Sequence, residues 1–336
     1  MASALDIGPL LAVPDRAAVA AFRAQRRGDP SYGVGFTVGP FLIIVVGALF
    51  AAAGLAVGFP QGIIPIAIGG LAAAGGVVAI VVGAGRWPRL YRLATFAAAN
   101  GLYFYPTAPG PNYPGAIFGQ GHGRAIRDHF YRADGRILDY GNYVYTTGSG
   151  KSQTTHQWWF LALQLDRKLP HMVLDCRANN LLFGTTNLPI AFAKDQVLSL
   201  EGDFDEHFRL YCPKEYERDA LYVFTPDLMA LCIDEAGDLD LEIVDEWLFA
   251  YSSRPLDMAK PAVHQRVREF VDTLGAKAVT QTDNYADDRA GGRAAFAANI
   301  VAPQGARLRR GVPVAAIITA VVIFGGAVLL RVLNVW

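Results

Sequence analysis

Carboxylates and an imidazole are concentrated in the segment Glu201-Gly202-Asp203-Phe204-Asp205-Glu206-His207. Carboxylate oxygens with a nearby imidazole can hold a hard metal ion. The candidate metal ligands are therefore Glu201, Asp203, Asp205 and His207. A charged loop that caps a helix or leads into a strand would produce the same pattern. The sequence leaves both interpretations open, and the first would support a metal-dependent hydrolase.

A second segment, Gly148-Ser149-Gly150-Lys151-Ser152, is similar to the end of a phosphate-binding loop. That motif requires a glycine five positions before Gly150, where this chain has Tyr145. It also requires a helix after the loop, whereas strand-like sequence flanks this segment on both sides. We therefore predict a hairpin tip here. His156 has no serine or cysteine nucleophile in a recognisable frame, so the sequence assigns no catalytic residue and no cofactor.

Composition excludes several classes of function. The 336 residues have a formal net charge of +0, which gives no overall field to attract nucleic acid. The 3 cysteines are far apart and form no CxxC pair, so neither a zinc knuckle nor a redox motif is predicted. We expect no nucleic-acid partner.

A long apolar stretch dominates the first third of the chain. Residues 30–85 contain no Asp, Glu, Lys or Arg, and a bilayer span needs roughly 20 apolar residues. Pro60-Gln61-Gly62 divides the stretch, which predicts a hairpin of two transmembrane helices over residues 38–84. A third transmembrane helix is predicted over 311–331. Because no span contains an ionisable residue, a small transport or channel subunit is the less favoured alternative.

Arginines indicate the orientation of these spans. They precede the first span, follow the second and precede the third, whereas the loop at Pro60-Gln61-Gly62 has none. The positive-inside rule then places the N-terminus and the region between the spans in the cytoplasm. The predicted location is the bacterial inner membrane, as a multi-pass protein. The basic helix predicted over residues 14–27 either lies on anionic lipid headgroups or serves only as a topology signal.

The remaining sequence predicts an α+β domain. Residues 1–37 form the N-terminal segment, 85–276 the cytoplasmic domain, and 277–310 a flexible tether to the last span. Within the domain, strand patterns are grouped with helices instead of alternating with them, which favours an antiparallel sheet with a few helices. The predicted strands include residues 156–165, 172–175, 241–244 and 247–251 and the segment Leu221–Phe224. A helix is predicted to begin at Thr225-Pro226-Asp227.

Three motifs follow one another in the middle of the chain: an acidic loop from Leu200 to Phe204, an aromatic strand ending at Tyr211, and the helix start Thr225-Pro226-Asp227-Leu228-Met229. In this order they resemble the motifs of an uncharacterised bacterial family of membrane-anchored proteins. Gly141-Asn142-Tyr143 and Gly148-Ser149-Gly150-Lys151 further resemble an actinobacterial branch. The resemblance covers about residues 30 to 255 and implies a membrane anchor with a mixed α/β domain; it implies no catalytic residue.

These observations predict an integral membrane protein that is not an enzyme. The expected partners are the lipid bilayer itself, anionic lipid headgroups, or a membrane or cytoplasmic protein bound by the domain as a scaffold. The alternatives are the metal-dependent hydrolase and the transport subunit described above.

Overall fold

The computed structural model describes residues 5–32, 38–180, 185–291 and 293–311. The chain divides into two compact units, one formed by residues 1–107 with 259–261 and the other by 108–258 with 262–336.

The first unit is helical. It contains α1 (Gly8–Leu11), α2 (Arg16–Gln25), α3 (Val38–Val57) and α4 (Ile63–Ala99). The α2 helix confirms the predicted basic helix, and the side chain of Asp15 accepts a hydrogen bond from the backbone N–H of Ala18 at its start. The α4 helix is continuous through Pro88 and so is longer than the predicted second span.

Helices α3 and α4 are each long and apolar enough to cross a bilayer. Their apolar side chains are largely exposed, among them Leu49 at 66% and Leu71 at 79%. A core helix of a water-soluble protein would bury such residues. The structure thus gives two candidate spans, and the third, predicted over 311–331, lies outside the described residues except for Gly311.

The second unit is organised around a mixed α/β fold with an antiparallel sheet, as predicted. The sheet has seven strands in the described residues: β1 (Tyr103–Pro109), β2 (His122–Arg132), β3 (Leu138–Thr147), β4 (Thr154–Cys176), β5 (Val197–Leu198), β6 (Phe208–Tyr211) and β7 (Asp240–Ser252). The division between the two units falls within β1. From β2 onward the order is β2-β3-β4-β6-β5, and β7 also pairs with β4.

Strand β4 is the central strand. Its first half pairs with β3, its second half pairs with β6, and β7 pairs with β4 along both halves. The register between β4 and β7 shifts between Gln164 and Met172, around Pro170. Proline lacks a backbone N–H and is tolerated at such a bulge.

Different elements cover the two faces of the sheet. On one face, Met172 and Ile243 line a small apolar cavity with residues of the helices, including Leu228 and Leu274. The opposite face carries an aromatic core in which Phe118 packs edge-on against Phe160 with ring centroids 5.3 Å apart. Burial on both faces explains why long parts of β4 are apolar without alternation.

Helices of the second unit follow or separate the strands. They are α5 (Phe204–His207), α6 (Glu217–Val223), α7 (Pro226–Ala236), α8 (Pro261–Phe270), α9 (Ala276–Thr282), α10 (Arg293–Ala298) and α11 (Pro303–Ala306). A π-helical segment, Val271–Gly275, joins α8 to α9. The strand predicted at Leu221–Phe224 is wrong, because α6 occupies most of this segment.

The segment predicted as a tether contains α9, α10 and α11 and is hydrogen-bonded to the rest of its unit. Asp287 accepts hydrogen bonds from the Tyr216 hydroxyl at 2.7 Å and from the backbone N–H of Ala302 at 2.8 Å. The guanidinium of Arg167, in the β4 bulge, lies 3.8 Å from the ring centroid of Phe296.

Candidate functional site

An aromatic and arginine-rich cluster lies where α2 packs against α4. Phe22 of α2 meets three rings edge-on, at centroid distances of 5.7 Å to Tyr32, 6.3 Å to Trp87 and 5.6 Å to Tyr91. Tyr32 and Trp87 stack with an angle of 3° between their planes. We call this cluster the collar and define it by the residues Phe22, Arg23, Arg26, Tyr32, Arg86, Trp87 and Tyr91.

The arginines of the collar lie against these rings. The Arg23 guanidinium is 5.7 Å from the Trp87 ring centroid, and that of Arg26 is 5.4 Å from the Tyr32 centroid. Arg86 donates a hydrogen bond to the backbone carbonyl of Tyr32. A cation–π contact uses the face of the guanidinium and leaves the N–H groups at its edge free to donate, which suits a phosphate or carboxylate ligand. The Nε–H of Arg26 is buried, so this arginine would bind a ligand through its terminal N–H groups.

The distance from the hairpin tip to the collar is close to the thickness of a bilayer. Trp87 is 24 residues beyond Ile63, the first residue of α4, which corresponds to about 36 Å of helix. The hydrocarbon core of a bilayer is about 30 Å thick. If Pro60-Gln61-Gly62 lies at one membrane surface, the collar therefore lies in the headgroup layer of the other, where tryptophan and tyrosine are enriched.

The predicted metal ligands are distributed around the short helix α5. Glu201 and Asp203 are exposed. Asp205 accepts hydrogen bonds from the Ser199 hydroxyl and, at 3.2 Å, from the backbone N–H of Leu200. In the described part of the chain, no group of three or more His, Cys, Asp or Glu side chains is arranged to hold a metal ion.

The glycine-serine segment forms the connection between β3 and β4, as predicted for a hairpin tip. Residues Gly150–Ser152 make a single 3-10 turn, and β4 begins two residues later. His156 lies at the start of β4, where its Nε2 is 2.8 Å from the Thr147 hydroxyl and its ring stacks on Tyr145.

A buried polar network that the sequence did not reveal centres on Glu242. One carboxylate oxygen accepts hydrogen bonds from the Tyr251 hydroxyl at 2.8 Å and from the backbone N–H of Ala116 at 2.7 Å. The other is 2.7 Å from Nε2 of His171. The backbone N–H of Leu308 donates to Nδ1 of His171, so the ring carries its proton on Nε2 and donates it to Glu242.

The sequence did not predict this network, because its members are distant from one another in the chain. His171 and Glu242 are 71 positions apart and meet only through the pairing of β4 with β7. The one signal available was the presence of an ionisable residue within each of two apolar strand segments. Both oxygens of the Glu242 carboxylate accept hydrogen bonds from buried donors, which is typical of a structural network.

Comparisons with known proteins give no further information about these candidate sites. No protein-family model and no curated protein matches the sequence. Among solved structures, the chain is similar to the crystal structure of the mycobacterial trehalose monomycolate transport factor A, TtfA. The similarity has 10% sequence identity and a TM-score of 0.35, and it covers 57% of this chain and 90% of that one. A likeness this distant transfers neither fold nor activity.

Proposed function

We propose that the chain is an integral protein of the bacterial inner membrane whose cytoplasmic domain is a binding module held at the lipid surface. In this proposal α3 and α4 span the bilayer and the collar binds anionic lipid headgroups. The observation that carries the proposal is the position of the collar, one bilayer thickness from the tip of an apolar hairpin.

Charge supports the choice of an anionic lipid. Residues 5–32 and 86–92 together contain seven arginines and three aspartates, although the whole chain has a net charge of +0. Each basic side chain near an anionic membrane surface contributes about 1 kcal/mol of binding free energy. The same arginines orient the hairpin by the positive-inside rule, which places the sheet domain on the cytoplasmic side.

Geometry favours a lipid headgroup over a protein partner as the collar's ligand. The rings of Tyr32 and Trp87 are held against Phe22, and Tyr32 is only 2% exposed. This arrangement fixes the arginines near the predicted headgroup depth but offers little exposed aromatic area for a protein interface, where such rings would act as anchors. Phosphate oxygens of a lipid need only the guanidinium donors.

The proposal can be tested by measuring lipid binding to the full-length protein in a neutral detergent. We expect phosphatidylglycerol to raise the unfolding temperature and phosphatidylcholine to leave it unchanged. The double variant Arg23→Gln/Arg26→Gln removes about 2 kcal/mol of this interaction, so its affinity for phosphatidylglycerol should fall about thirtyfold.

A charge-matched control separates the collar from general electrostatic attraction. Arg218 and Arg254 are exposed residues of the second unit, and their change to glutamine removes the same net charge. This control should bind phosphatidylglycerol like the wild type. Equal loss in both double variants, or equal response of the wild type to both lipids, would contradict a headgroup site at the collar.

A further inference from the structure

An apolar groove lies between α3 and α4 on one face of the hairpin. Its volume is about 270 Å³, and every described residue that lines it is apolar. Gly47, Gly69 and Ala72 leave room in the groove, whereas the larger side chains of Val46 and Ile68 line it with 56% and 54% of their surfaces exposed. The groove is therefore not filled by any residue that the structure describes.

The groove extends across the middle of the membrane. Leu42, the lining residue farthest from the hairpin tip, lies 15 residues before the end of α3, which corresponds to about 22 Å of helix. Ile68, the nearest, lies 5 residues after the start of α4, which corresponds to about 8 Å. The mid-plane of the hydrocarbon core is about 15 Å from either surface. When the hairpin spans the bilayer, the groove therefore reaches into both leaflets.

A groove of this extent fits a helix better than a lipid. An acyl chain belongs to one leaflet and ends near the mid-plane, so a single lipid would fill only part of the groove. A transmembrane helix crosses both leaflets, and small residues such as Gly47 and Gly69 allow its backbone to approach closely. Because the described lining residues offer no polar side chain, the helix that fits is one without ionisable residues.

The C-terminal part of this chain has the composition and length of such a helix. The described residues end at Gly311, and 25 of the 336 residues follow it. Residues 312–330 contain no ionisable side chain, and 19 residues of helix are about 28 Å long, close to the thickness of the hydrocarbon core. Arg307, Arg309 and Arg310 come directly before this segment, so the positive-inside rule places its entry on the same side of the membrane as the collar.

We propose that residues 312–330 form a transmembrane helix that packs in the groove between α3 and α4. This packing rests on the proposed function in one respect, namely that α3 and α4 span the bilayer. The occupant is this segment and not a second copy of the chain, because a tethered segment meets the groove at a far higher effective concentration. Ala316 and Ala320 are four positions apart, so in a helix they share one face, and this small face would approach Gly47 and Gly69.

Cysteine cross-linking of the full-length protein in native membranes tests this packing. Ala72→Cys places a thiol in the groove, about 14 Å from the start of α4. Residues 319–322 lie at a similar distance from the end of the proposed helix, and four consecutive positions cover one complete turn. Each of the four is changed to cysteine in turn, combined with Ala72→Cys and oxidised with copper phenanthroline. At least one pair should form a disulfide within a single chain, which peptide mass spectrometry of the monomer band identifies.

Ala74→Cys is the matched control. Ala74 is exposed, lies two residues further along α4 and does not line the groove, so its thiol faces lipid at nearly the same depth. It should give several-fold less cross-linking to the same four positions. The native cysteines at 176, 212 and 232 are buried and should contribute little background.

Three results would overturn the proposed packing. They are equal cross-linking from Ala72→Cys and Ala74→Cys, no cross-linking of Ala72→Cys to residues 319–322, and a disulfide-linked dimer through Ala72→Cys in place of the bond within one chain. The dimer would mean that a second copy occupies the groove.

Labelling of Gln61→Cys from outside intact cells separates this packing from the proposed function. Gln61 is exposed at the hairpin tip. If Gln61→Cys is labelled and none of the four pairs with Ala72→Cys cross-links, the hairpin spans the bilayer but the groove does not hold residues 312–330. If Gln61→Cys is not labelled, the hairpin does not span the bilayer, and the proposed function and the packing are both wrong.

Discussion

At the scale of single residues, we expect the largest loss of stability when the buried carboxylate of Glu242 is removed. It accepts hydrogen bonds from the backbone of Ala116, the hydroxyl of Tyr251 and the ring of His171. These donors belong to a loop and two strands, and His171 further binds the backbone of Leu308. One side chain therefore links four separate segments of the sheet domain. Its loss leaves three buried donors without an acceptor, each costing about 1–3 kcal/mol.

We accordingly predict that Glu242→Ala lowers the free energy of unfolding by about 3–5 kcal/mol. Glu242→Gln retains an acceptor for the Tyr251 and Ala116 donors but opposes an N–H to that of His171, so a loss of about 1–3 kcal/mol is expected. Denaturant unfolding followed by tryptophan fluorescence measures both. Glu246→Gln is the control, because among the described residues Glu246 makes only a partly exposed ion pair with Lys168, at 3.9 Å. This variant should change stability by less than about 1 kcal/mol. Equal stability of all three variants would refute a structural role for the network.

At the scale of elements, the packing of α3 against α4 depends on glycines at their contact. A Cβ atom added to Gly47 would lie 2.7 Å from the backbone oxygen of Gly69 and 2.8 Å from the backbone nitrogen of Ala73. One added to Gly69 would meet the backbone oxygen of Gly47. Close backbone approach at small residues is the main source of helix association in lipid, which supplies no hydrophobic drive.

Gly69 and Gly70 therefore form a natural matched pair. Gly69→Ala forces the two backbones apart, and we expect it to destabilise the hairpin by about 1–3 kcal/mol. Gly70→Ala meets no atom within 4 Å and should be neutral or slightly stabilising, since alanine favours a helix. Thermal unfolding of the full-length protein in detergent distinguishes them. A similar shift for both variants would mean that the helices do not pack through Gly69.

Sequence patterns predicted most strands correctly, but they divided each of the two longest strands, β4 and β7, into two separate predicted strands. Residues 156–165 and 172–175 were predicted as separate strands, because Asp166, Lys168 and Pro170 interrupt the apolar pattern between them. In the structure they are one strand, β4, with a bulge at the interruption. β7 continues in the same way through Asp245, whose φ is 52°. A bulge depends on the partner strand, so no local pattern could have predicted it.

Helix α6 was missed for a different reason. Leu221, Tyr222 and Val223 have strand propensity, and this run outweighed the acidic residues that precede it. Glu217 and Asp219 lie in the first helical turn, where negative charge is favourable. The buried polar residues show the same limit. Asp175 and Asp240 are 65 positions apart, so only the pairing of β4 with β7 brings them together.

At the scale of the whole molecule, the proposed membrane topology rests on the distribution of charge along the chain. Arginines flank the hairpin at residues 16–27 and 86–92, and the hairpin tip at Pro60-Gln61-Gly62 has no basic residue. The positive-inside rule counts basic residues close to the spans, so the prediction does not depend on the net charge of +0. The tip should then face the periplasm and the sheet domain the cytoplasm.

We predict that Gln61→Cys reacts with a membrane-impermeant maleimide in intact cells, whereas Ser253→Cys reacts only after the membrane is permeabilised. Both positions are exposed, and the native cysteines at 176, 212 and 232 are buried, so the wild type should give little background. Labelling of Ser253→Cys in intact cells would place the sheet domain outside and remove the collar from the anionic inner surface. Labelling of neither variant before permeabilisation would mean that the hairpin tip does not reach the far side, and hence that α3 and α4 do not span the bilayer.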